Sequence, residues 1–280
     1  MTNGVQVNRW NGETGHYWIA NRERHLDEHE RLIPHLLSAA GILPGERVLD
    51  IGCGCGETTI EAARAAAVTG RPQGGFAVGL DLSVPMLEVA GRLAAEARVP
   101  NVSFVRGDAQ ACPLRAGSFD VMISSFGVMF FDDPAAAFAS LGRAACTSGR
   151  MVFLCWQPDW RNDLLAMPLR AFRDHAHVPS TAVGDLFFDP HRVTGLLSET
   201  GWADVQVCAV SEPARMGADV AEVMSYVRGM PTVRALAASI DDTALTERVF
   251  AALADEYAQH KRDDGVWVQA AAWLVTARRA

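Results

Sequence analysis

An acid and three glycines follow one another at the end of a strand-like segment, in an order that suits a small-molecule site. The apolar run before Asp50 ends in that carboxylate, and glycines follow at positions 52, 54 and 56. Glycine permits positive φ and lets a ligand approach bare main chain. A helical pattern starts at Glu57, and the free N–H groups of a helix N-terminus attract polar ligand groups. These residues predict a ligand at the end of the first strand of an open α/β sheet.

The spacing of the glycines bears on which ligand is held. A dinucleotide site has the pattern G-x-G-x-x-G, whereas this loop reads G-x-G-x-G from Gly52 to Gly56. Glu57 stands where the dinucleotide pattern has its last glycine. A glycine loop alone identifies no ligand, because turn geometry accounts for many such loops. The identity of the ligand is therefore inferred from the motifs that follow at fixed intervals.

Further acids follow the next strand-like segments. Asp81 ends the apolar run at 76–80, where a carboxylate can accept hydrogen bonds from both ribose hydroxyls of a nucleoside. Its alternative role is charge at a helix N-terminus, but Ser83 is the better cap there. Asp108 lies in a Gly-Asp-Ala sequence after the segment at 102–105, and a plain turn is its alternative. Asp120, at the start of the next strand, is assigned to the fold.

These four motifs, in this order over residues 46–156, resemble those of class I S-adenosylmethionine (SAM) methyltransferases. The whole chain is similar to the small-molecule branch that includes ubiquinone and menaquinone biosynthesis methyltransferases, as are the runs at 125–134 and 273–278. Cys55 departs from that branch, in which many members have Thr. The resemblance implies SAM as cofactor and S-adenosylhomocysteine (SAH) as product. It also implies that Asp108 accepts a hydrogen bond from adenine.

The resemblance further implies a set of contacts around the glycines and the strand ends. The cofactor-binding residues assigned on this basis are Tyr17, Trp18, Asp50, Gly52, Cys53, Gly54, Thr58, Asp81, Leu82, Met86, Asp108, Ala109, Gln110, Ser124 and Ser125. Phe126, Met129 and Trp156 are assigned to a substrate pocket, with a core role as the alternative for Phe126 and Trp156. No metal site is expected.

Methyl transfer needs a nucleophile aligned with the sulfonium in a dry site, and aromatic faces stabilise the positive sulfur. An oxygen or nitrogen acid also needs a base, and histidine titrates nearest neutrality. His25, His29 and Tyr17 are therefore the candidate catalytic residues. The charged residues around both histidines favour a solvated helix face as the alternative interpretation. An electron-rich carbon acceptor would need no strong base.

The elements that position these residues alternate between strand and helix over 46–156, which predicts a parallel sheet. Strands are predicted at 47–51, 76–80, 102–105, 119–124, 151–156, 205–210 and 271–277. We expect an α/β, Rossmann-like seven-stranded sheet in the family's order 3-2-1-4-5-7-6, with helices on both faces and a helical cap. The predicted divisions are an N-terminal helical lid at 1–40, a SAM-binding core at 41–156 and the rest of the sheet at 157–280. Helical insertions at 157–190 and 213–262 would roof the pocket.

Composition limits the partners. The chain has 280 residues and a net charge of −8, which argues against a nucleic-acid partner, including for a nucleic-acid methyltransferase. No apolar run reaches about 18 residues and no signal peptide begins the chain, so we expect no membrane partner and a cytoplasmic location. The six cysteines lack the paired spacing of a metal or disulfide site, so we expect reduced thiols. We expect a monomer or homodimer.

The predicted function is methyl transfer to C, N or O of a small aromatic metabolite (indole, phenol or quinol-like), in secondary metabolism. The alternatives are a nicotinamide-dependent oxidoreductase and a non-catalytic SAM-binding protein.

Overall fold

The computed structural model of the protein describes residues 3–70, 74–178 and 185–280, apart from the side chains of Asp159 and Asp185. One mixed sheet runs through these residues. Its strands are β1 (Arg47–Ile51), β2 (Phe76–Asp81), β3 (Val102–Arg106), β4 (Phe119–Ser125), β5 (Ala145–Trp156), β6 (Trp202–Gly217), β7 (Lys261–Arg262) and β8 (Gly265–Arg279).

Helices precede the sheet, connect its parallel strands and interrupt its antiparallel end. They are α1 (Gly4–Asn11), α2 (Glu13–Ala20), α3 (Arg22–His29), α4 (Ile33–Ala40), α5 (Glu57–Ala66), α6 (Val84–Glu96), α7 (Pro134–Ala144), α8 (Asp163–Ala176), α9 (Asp185–Phe188), α10 (Pro190–Glu199), α11 (Val220–Gly229), α12 (Pro231–Ala238) and α13 (Thr243–Gln259). None of the helices in the described ranges combines the length and apolar character that a membrane crossing requires.

The strand order is β3-β2-β1-β4-β5-β8-β6, with β7 paired to β8. Strands β1 to β5 pair in parallel, whereas β8 runs antiparallel to β5 and β6. The predicted order is confirmed, since β8 takes the place of the seventh strand. The two-residue β7 is an addition to the prediction, because so short a strand leaves no periodic pattern.

The central strands are buried because helices cover the sheet. Val48 and Leu49 of β1 and Val121 and Met122 of β4 are inaccessible to solvent. Continuous apolar runs of this kind are typical of parallel strands that are covered on both faces. Because β1, β2 and β4 run in one direction, their carboxyl ends meet at the same edge of the sheet, where α/β folds bind ligands.

At the opposite edge of the sheet, Arg47, the first residue of β1, pairs with Asp120, the second residue of β4. The Arg47 guanidinium donates to both Asp120 oxygens, with Nε at 2.9 Å from Oδ2 and Nη2 at 2.8 Å from Oδ1. The Arg47 side chain lowers the pKa of Asp120 to about 2. Asp120 thus serves the fold, as its position in the sequence predicts.

The N-terminal helices are bound to the helices inserted between β6 and β7. The Tyr17 hydroxyl in α2 donates to the Tyr226 carbonyl oxygen in α11 at 2.9 Å. Arg24 of α3 forms an ion pair with Glu222 of α11. Segments 1–40 and 213–262 therefore share one interface. The division into lid, core and cap stays a prediction, and residues 1, 2, 71–73 and 179–184 lie outside the described part.

Candidate functional site

The glycine loop, residues 52–56, lies at the carboxyl end of β1. Gly52 has a φ of +67°, and a Cβ there would lie 2.8 Å from the Gly127 Cα, so only glycine allows this approach. Gly54 has a φ of +54°, and a Cβ there would meet only the Met86 sulfur, at 3.9 Å. The loop is therefore packed against the end of β4 on one side and open to a cavity on the other.

Asp50, just before the loop, is a buried carboxyl group. Thr59 Oγ1 donates to its Oδ2 at 2.7 Å, while Oδ1 has no hydrogen-bond partner among the described residues. Burial raises the pKa of Asp50 to about 7, although the hydrogen bond from Thr59 lowers that pKa. An unpartnered buried oxygen is costly, which fits a site completed by a ligand. Thr58, the predicted contact, lines the cavity, and its neighbour Thr59 supports Asp50 instead.

Asp81 ends β2 and faces the same cavity. Its Oδ2 accepts from the Gly54 N–H at 2.9 Å, and its Oδ1 accepts from the Ser83 N–H at 2.8 Å. Burial raises the pKa of Asp81, and these backbone hydrogen bonds oppose the rise. Ser83 caps α6 through Met86 N, as predicted. Asp81 is thus free of the capping role and is held at the rim by backbone donors.

Asp108 follows β3 and contacts the start of the chain. Its Oδ1 accepts from Gln110 N at 3.0 Å, and its Oδ2 accepts from Asn3 N at 3.1 Å. Asn3 Nδ2 also donates to the Phe130 carbonyl oxygen at 3.2 Å. The start of α1 therefore covers the part of the cavity next to Asp108.

The cavity has a volume of about 470 Å³, within the range of roughly 300–1,000 Å³ that is usual for small-molecule sites. At one end are Asp81, Asp108 and the apolar side chains of Leu82 and Met86. At the other end the lining is aromatic and aliphatic. Two carboxylates beside apolar surfaces suit a nucleoside, because ribose and base offer hydroxyl and amino donors and a flat ring.

The aromatic end is formed by Phe126, Trp156 and His29, which we call the aromatic wall. The Phe126 and Trp156 rings stack with centroids 3.9 Å apart, and the His29 ring lies 4.9 Å from Phe126. Phe126 has a φ of +62°, a left-handed conformation that bulky non-glycine residues rarely adopt. Both predicted substrate-pocket aromatics thus line the cavity.

The interpretation of His25 and His29 as a solvated helix face is wrong. His25 is 8% exposed, its ring stacks on Trp18 at 3.7 Å, and it lines the cavity. His29 also lines the cavity, and burial lowers its pKa to about 4. Among its neighbours Glu28 raises that pKa and His25 lowers it. Of the charged residues that flank them in sequence, Glu23, Asp27 and Glu30 are exposed, whereas Glu28 is buried with its Oε2 3.0 Å from His25 Nδ1.

The structure brings most of the predicted site residues to one cavity. Those that line it are Trp18, His25, His29, Asp50, Gly52, Cys53, Gly54, Thr58, Asp81, Leu82, Met86, Asp108, Ala109, Ser125, Phe126 and Trp156. Whether each contacts a ligand stays a prediction.

Four predicted residues lie behind the lining. Tyr17 stacks on Tyr226, with ring centroids 6.0 Å apart. Ser124 is fully buried and donates to the Ile51 carbonyl oxygen at 2.7 Å. The Met129 sulfur accepts from Trp156 N at 3.2 Å, and the Gln110 side chain accepts from Asp133 N at 2.7 Å. Ser124 and Met129 thus hold lining residues, Ile51 and Trp156, in place.

Sequence reasoning also missed lining residues. Trp10 and Phe130 meet edge to face at 5.1 Å over the Asp108 end of the cavity. Leu26 and Ile33 extend the apolar surface near His29. For Trp10, Leu26 and Ile33 the signal in the sequence is the spacing of apolar residues within 1–40.

The middle of the chain matches a known family model. Residues 48–149 match the model described as methyltransferase domain. A demethylmenaquinone methyltransferase from Renibacterium salmoninarum is 32% identical over 136 residues, which cover 49% of this chain and 52% of that protein. The chain thus spans about half the length of the curated relatives it matches.

Solved structures agree over a longer stretch. The YcgJ protein of Bacillus subtilis aligns with a TM-score of 0.58 at 18% identity, covering 90% of this chain and 99% of that one. The [4+2]-cyclase SpnF aligns with a TM-score of 0.51 at 20% identity, covering 89% of this chain and 81% of that one. At such identities the likeness shows the fold alone.

Proposed function

We propose that this chain, whose residues 48–149 belong to the methyltransferase domain family, is a SAM-dependent methyltransferase acting on a small aromatic metabolite. The predicted family, class I SAM methyltransferases, is thereby confirmed for the domain. The observation that carries the proposal is one continuous cavity that joins the glycine loop and the two acids to the aromatic wall. Donor and acceptor sites must adjoin in this way for direct methyl transfer.

The residues at the loop end of the cavity fit the donor. Asp81 can accept from the ribose hydroxyls, and Asp108 with Ala109 and Leu82 can hold the adenine. The open side of Gly54 leaves room for the methionine chain, and the unpartnered Asp50 Oδ1 offers an acceptor nearby. When bound, SAM supplies an electrophilic methyl group, and the protein contributes alignment and exclusion of water.

The aromatic wall indicates the acceptor. Flat rings stack on Phe126 and Trp156 more favourably than on aliphatic surface, by about 0.5–1.5 kcal/mol beyond area burial. The relative from Renibacterium salmoninarum is named as a demethylmenaquinone methyltransferase. We therefore propose an indole, phenol or quinol-like acceptor. A role in secondary metabolism stays a prediction.

Calorimetry with SAM, SAH and NAD tests the cofactor. We expect micromolar or tighter binding of SAM and SAH and none of NAD. Binding of NAD without SAM would instead support the nicotinamide-dependent alternative.

Transfer of labelled methyl from SAM to a panel of indoles, phenols and quinols tests the reaction. The fold alone does not establish methyl transfer, because SpnF has a similar fold and is named as a cyclase. SAM binding with no transfer to any of the acceptors would favour the non-catalytic alternative.

A further inference from the structure

A buried polar cluster, formed by His25, Glu28 and Tyr226, adjoins the aromatic wall. His25 Nδ1 lies 3.0 Å from Glu28 Oε2 and 3.2 Å from the Tyr226 hydroxyl. Glu28 is 6% exposed. His25 Nε2 is buried and has no hydrogen-bond partner among the described residues. One edge of the imidazole is therefore held, and the other lacks the partner that buried nitrogens normally have.

The held edge determines which nitrogen carries the proton. The contact fits the tautomer in which Nδ1 carries the proton, because an ionised carboxylate only accepts hydrogen bonds. In the neutral ring Nε2 is then the nitrogen with the free lone pair. Trp18 covers the face of the ring, whereas the lone pair lies in the ring plane, at the edge. His25 itself lines the cavity.

We propose that His25 is the general base of the reaction, that Glu28 is its positioning residue, and that the acceptor therefore presents an acidic O–H or N–H group. This inference rests on the proposed methyltransferase function. His25 Nε2 takes the proton of the acceptor hydroxyl, and the oxygen electron pair forms the bond to the methyl carbon. The carbon–sulfur bond breaks with its pair remaining on sulfur, which leaves SAH and an imidazolium that later releases its proton to water.

Charged and titratable groups around the cluster favour this arrangement. On the same helix, Glu28 faces the ring, His29 is neutral near pH 7 because of its lowered pKa, and Arg24 lies over the Tyr226 ring at 4.7 Å. From other elements, Tyr17 of α2 and Tyr226 of α11 flank the ring. Burial raises the pKa of both tyrosines, and of Tyr257 in α13, with Glu28 raising each further. Glu28 is thus the carboxylate placed to stabilise a positive charge on His25.

A second His–Glu pair provides a matched control. His35 Nε2 lies 2.8 Å from Glu212 Oε1, but the His35 side chain is 41% exposed and lies outside the cavity lining. Substitutions in this pair change a similar interaction without touching the cavity.

The first experiment is nitrogen-15 NMR of the histidine rings in the SAH-bound protein. We expect His25 protonated at Nδ1 and bare at Nε2, and we expect Glu28→Gln, whose amide can donate to Nδ1, to shift the proton toward Nε2. Glu212→Gln should leave the His25 signals unchanged. A wild-type His25 that is protonated at Nε2 would overturn the proposal whatever the activity.

The second experiment compares 1-naphthol, which has an acidic hydroxyl, with 1-methylindole, whose nucleophile is a carbon. For naphthol we expect His25→Ala and Glu28→Gln to lower kcat about 100- to 10,000-fold with little change in KM. Added imidazole should partly restore His25→Ala, while His35→Ala and Glu212→Gln should match wild type.

The outcomes distinguish a failure of the proposed base from a failure of the methyltransferase function. Equal rates for wild type and His25→Ala, or methylation of 1-methylindole as the better acceptor, would overturn the base while leaving the methyltransferase function intact. Failure of every variant and of wild type to bind SAH would remove the function itself. If His25→Ala does not fold, Glu28→Gln and the NMR measurement on wild type still decide.

Discussion

The Gly54 backbone N–H donates to Asp81 Oδ2 at 2.9 Å, so the glycine loop and the end of β2 form one unit. The carboxylate that the ribose would contact also fixes the loop that the methionine chain would cross. A change at Asp81 should therefore disturb both parts of a nucleoside site.

We expect Asp81→Asn to weaken SAH binding roughly 10- to 100-fold, because hydrogen bonds to a charged acceptor contribute about 1.5–3 kcal/mol. The amide keeps the size of the side chain but replaces one acceptor oxygen by a donor. Titration calorimetry measures the change. An unchanged dissociation constant would refute the assignment of Asp81 to the ribose.

Asp120→Asn is the matched carboxylate at the other edge of the sheet. It loses charge in the pair with Arg47, so thermal unfolding should show a loss of at most about 1 kcal/mol for this partly exposed pair. SAH affinity should be the same as in wild type. A loss of affinity in Asp120→Asn would mean that the Asp81 result reflects general loosening of the sheet.

We expect Asn3→Pro to tighten SAH binding up to about 10-fold. The Asn3 N–H occupies Asp108 Oδ2, where the family resemblance places adenine, and a proline removes that donor. Proline is compatible with the Asn3 φ of −69°. Calorimetry on both proteins gives the ratio.

A double-mutant cycle with Asp108→Ala tests the cause. In the Asp108→Ala background, Asn3→Pro should have no effect on SAH affinity. Weaker binding in Asn3→Pro alone would show instead that the start of α1 closes over the ligand and supports it.

We expect His29→Phe to resist acid better than wild type. Burial lowers the pKa of His29 from 6.5 to about 4, so between these values the unfolded chain binds a proton that the folded chain does not. Stability linked to His29 is thus full above about pH 6.5 and is lost as the pH falls toward 4. The loss on going from pH 7 to pH 5 should be smaller in the variant by roughly 1–2 kcal/mol.

Urea unfolding at the two pH values measures that difference. Asp50 acts in the opposite direction, because its raised pKa of about 7 makes its contribution fade as the pH rises. It is present in both proteins and cancels in the comparison. Equal losses for wild type and His29→Phe would contradict a His29 that is neutral in the folded state.

The parts of the site that sequence predicted are those fixed by local rules. Local patterns predicted the strand before Asp50, the glycine loop and the Ser83 cap, because each depends on residues within about ten positions of one another. The positions of Asp81 and Asp108 in one site could also be predicted, because the carboxyl ends of parallel strands lie at the same edge of the sheet.

The differences between the predicted lining and the observed one come from side-chain direction and from separation in the sequence. Tyr17 and Trp18 are neighbours on α2, and their side chains point about 100° apart. Trp18 therefore lines the cavity, whereas Tyr17 stacks on Tyr226. Ser124 and Ser125 alternate on β4, which turns Ser124 toward Ile51. His25 and Tyr226 are separated by 201 positions, and no spacing in the sequence links them.

We expect Trp156→Leu to impair the acceptor and spare the cofactor. Trp156 stacks on Phe126 at 3.9 Å in the aromatic wall, away from Asp81 and Asp108. Losing the stacking surface should raise KM for aromatic acceptors roughly 3- to 10-fold, since an aromatic pair contributes about 0.5–1.5 kcal/mol beyond area burial. SAH affinity should change less than twofold.

Steady-state kinetics with a phenol, together with calorimetry, separate the two effects of Trp156→Leu. Trp160→Ala, at a tryptophan that is 74% exposed, is the control of the same residue type. If Trp156→Leu weakened SAH binding and left KM for the phenol unchanged, the wall would face the donor, and the acceptor would have to be sought elsewhere along the cavity, near Leu26 and Ile33.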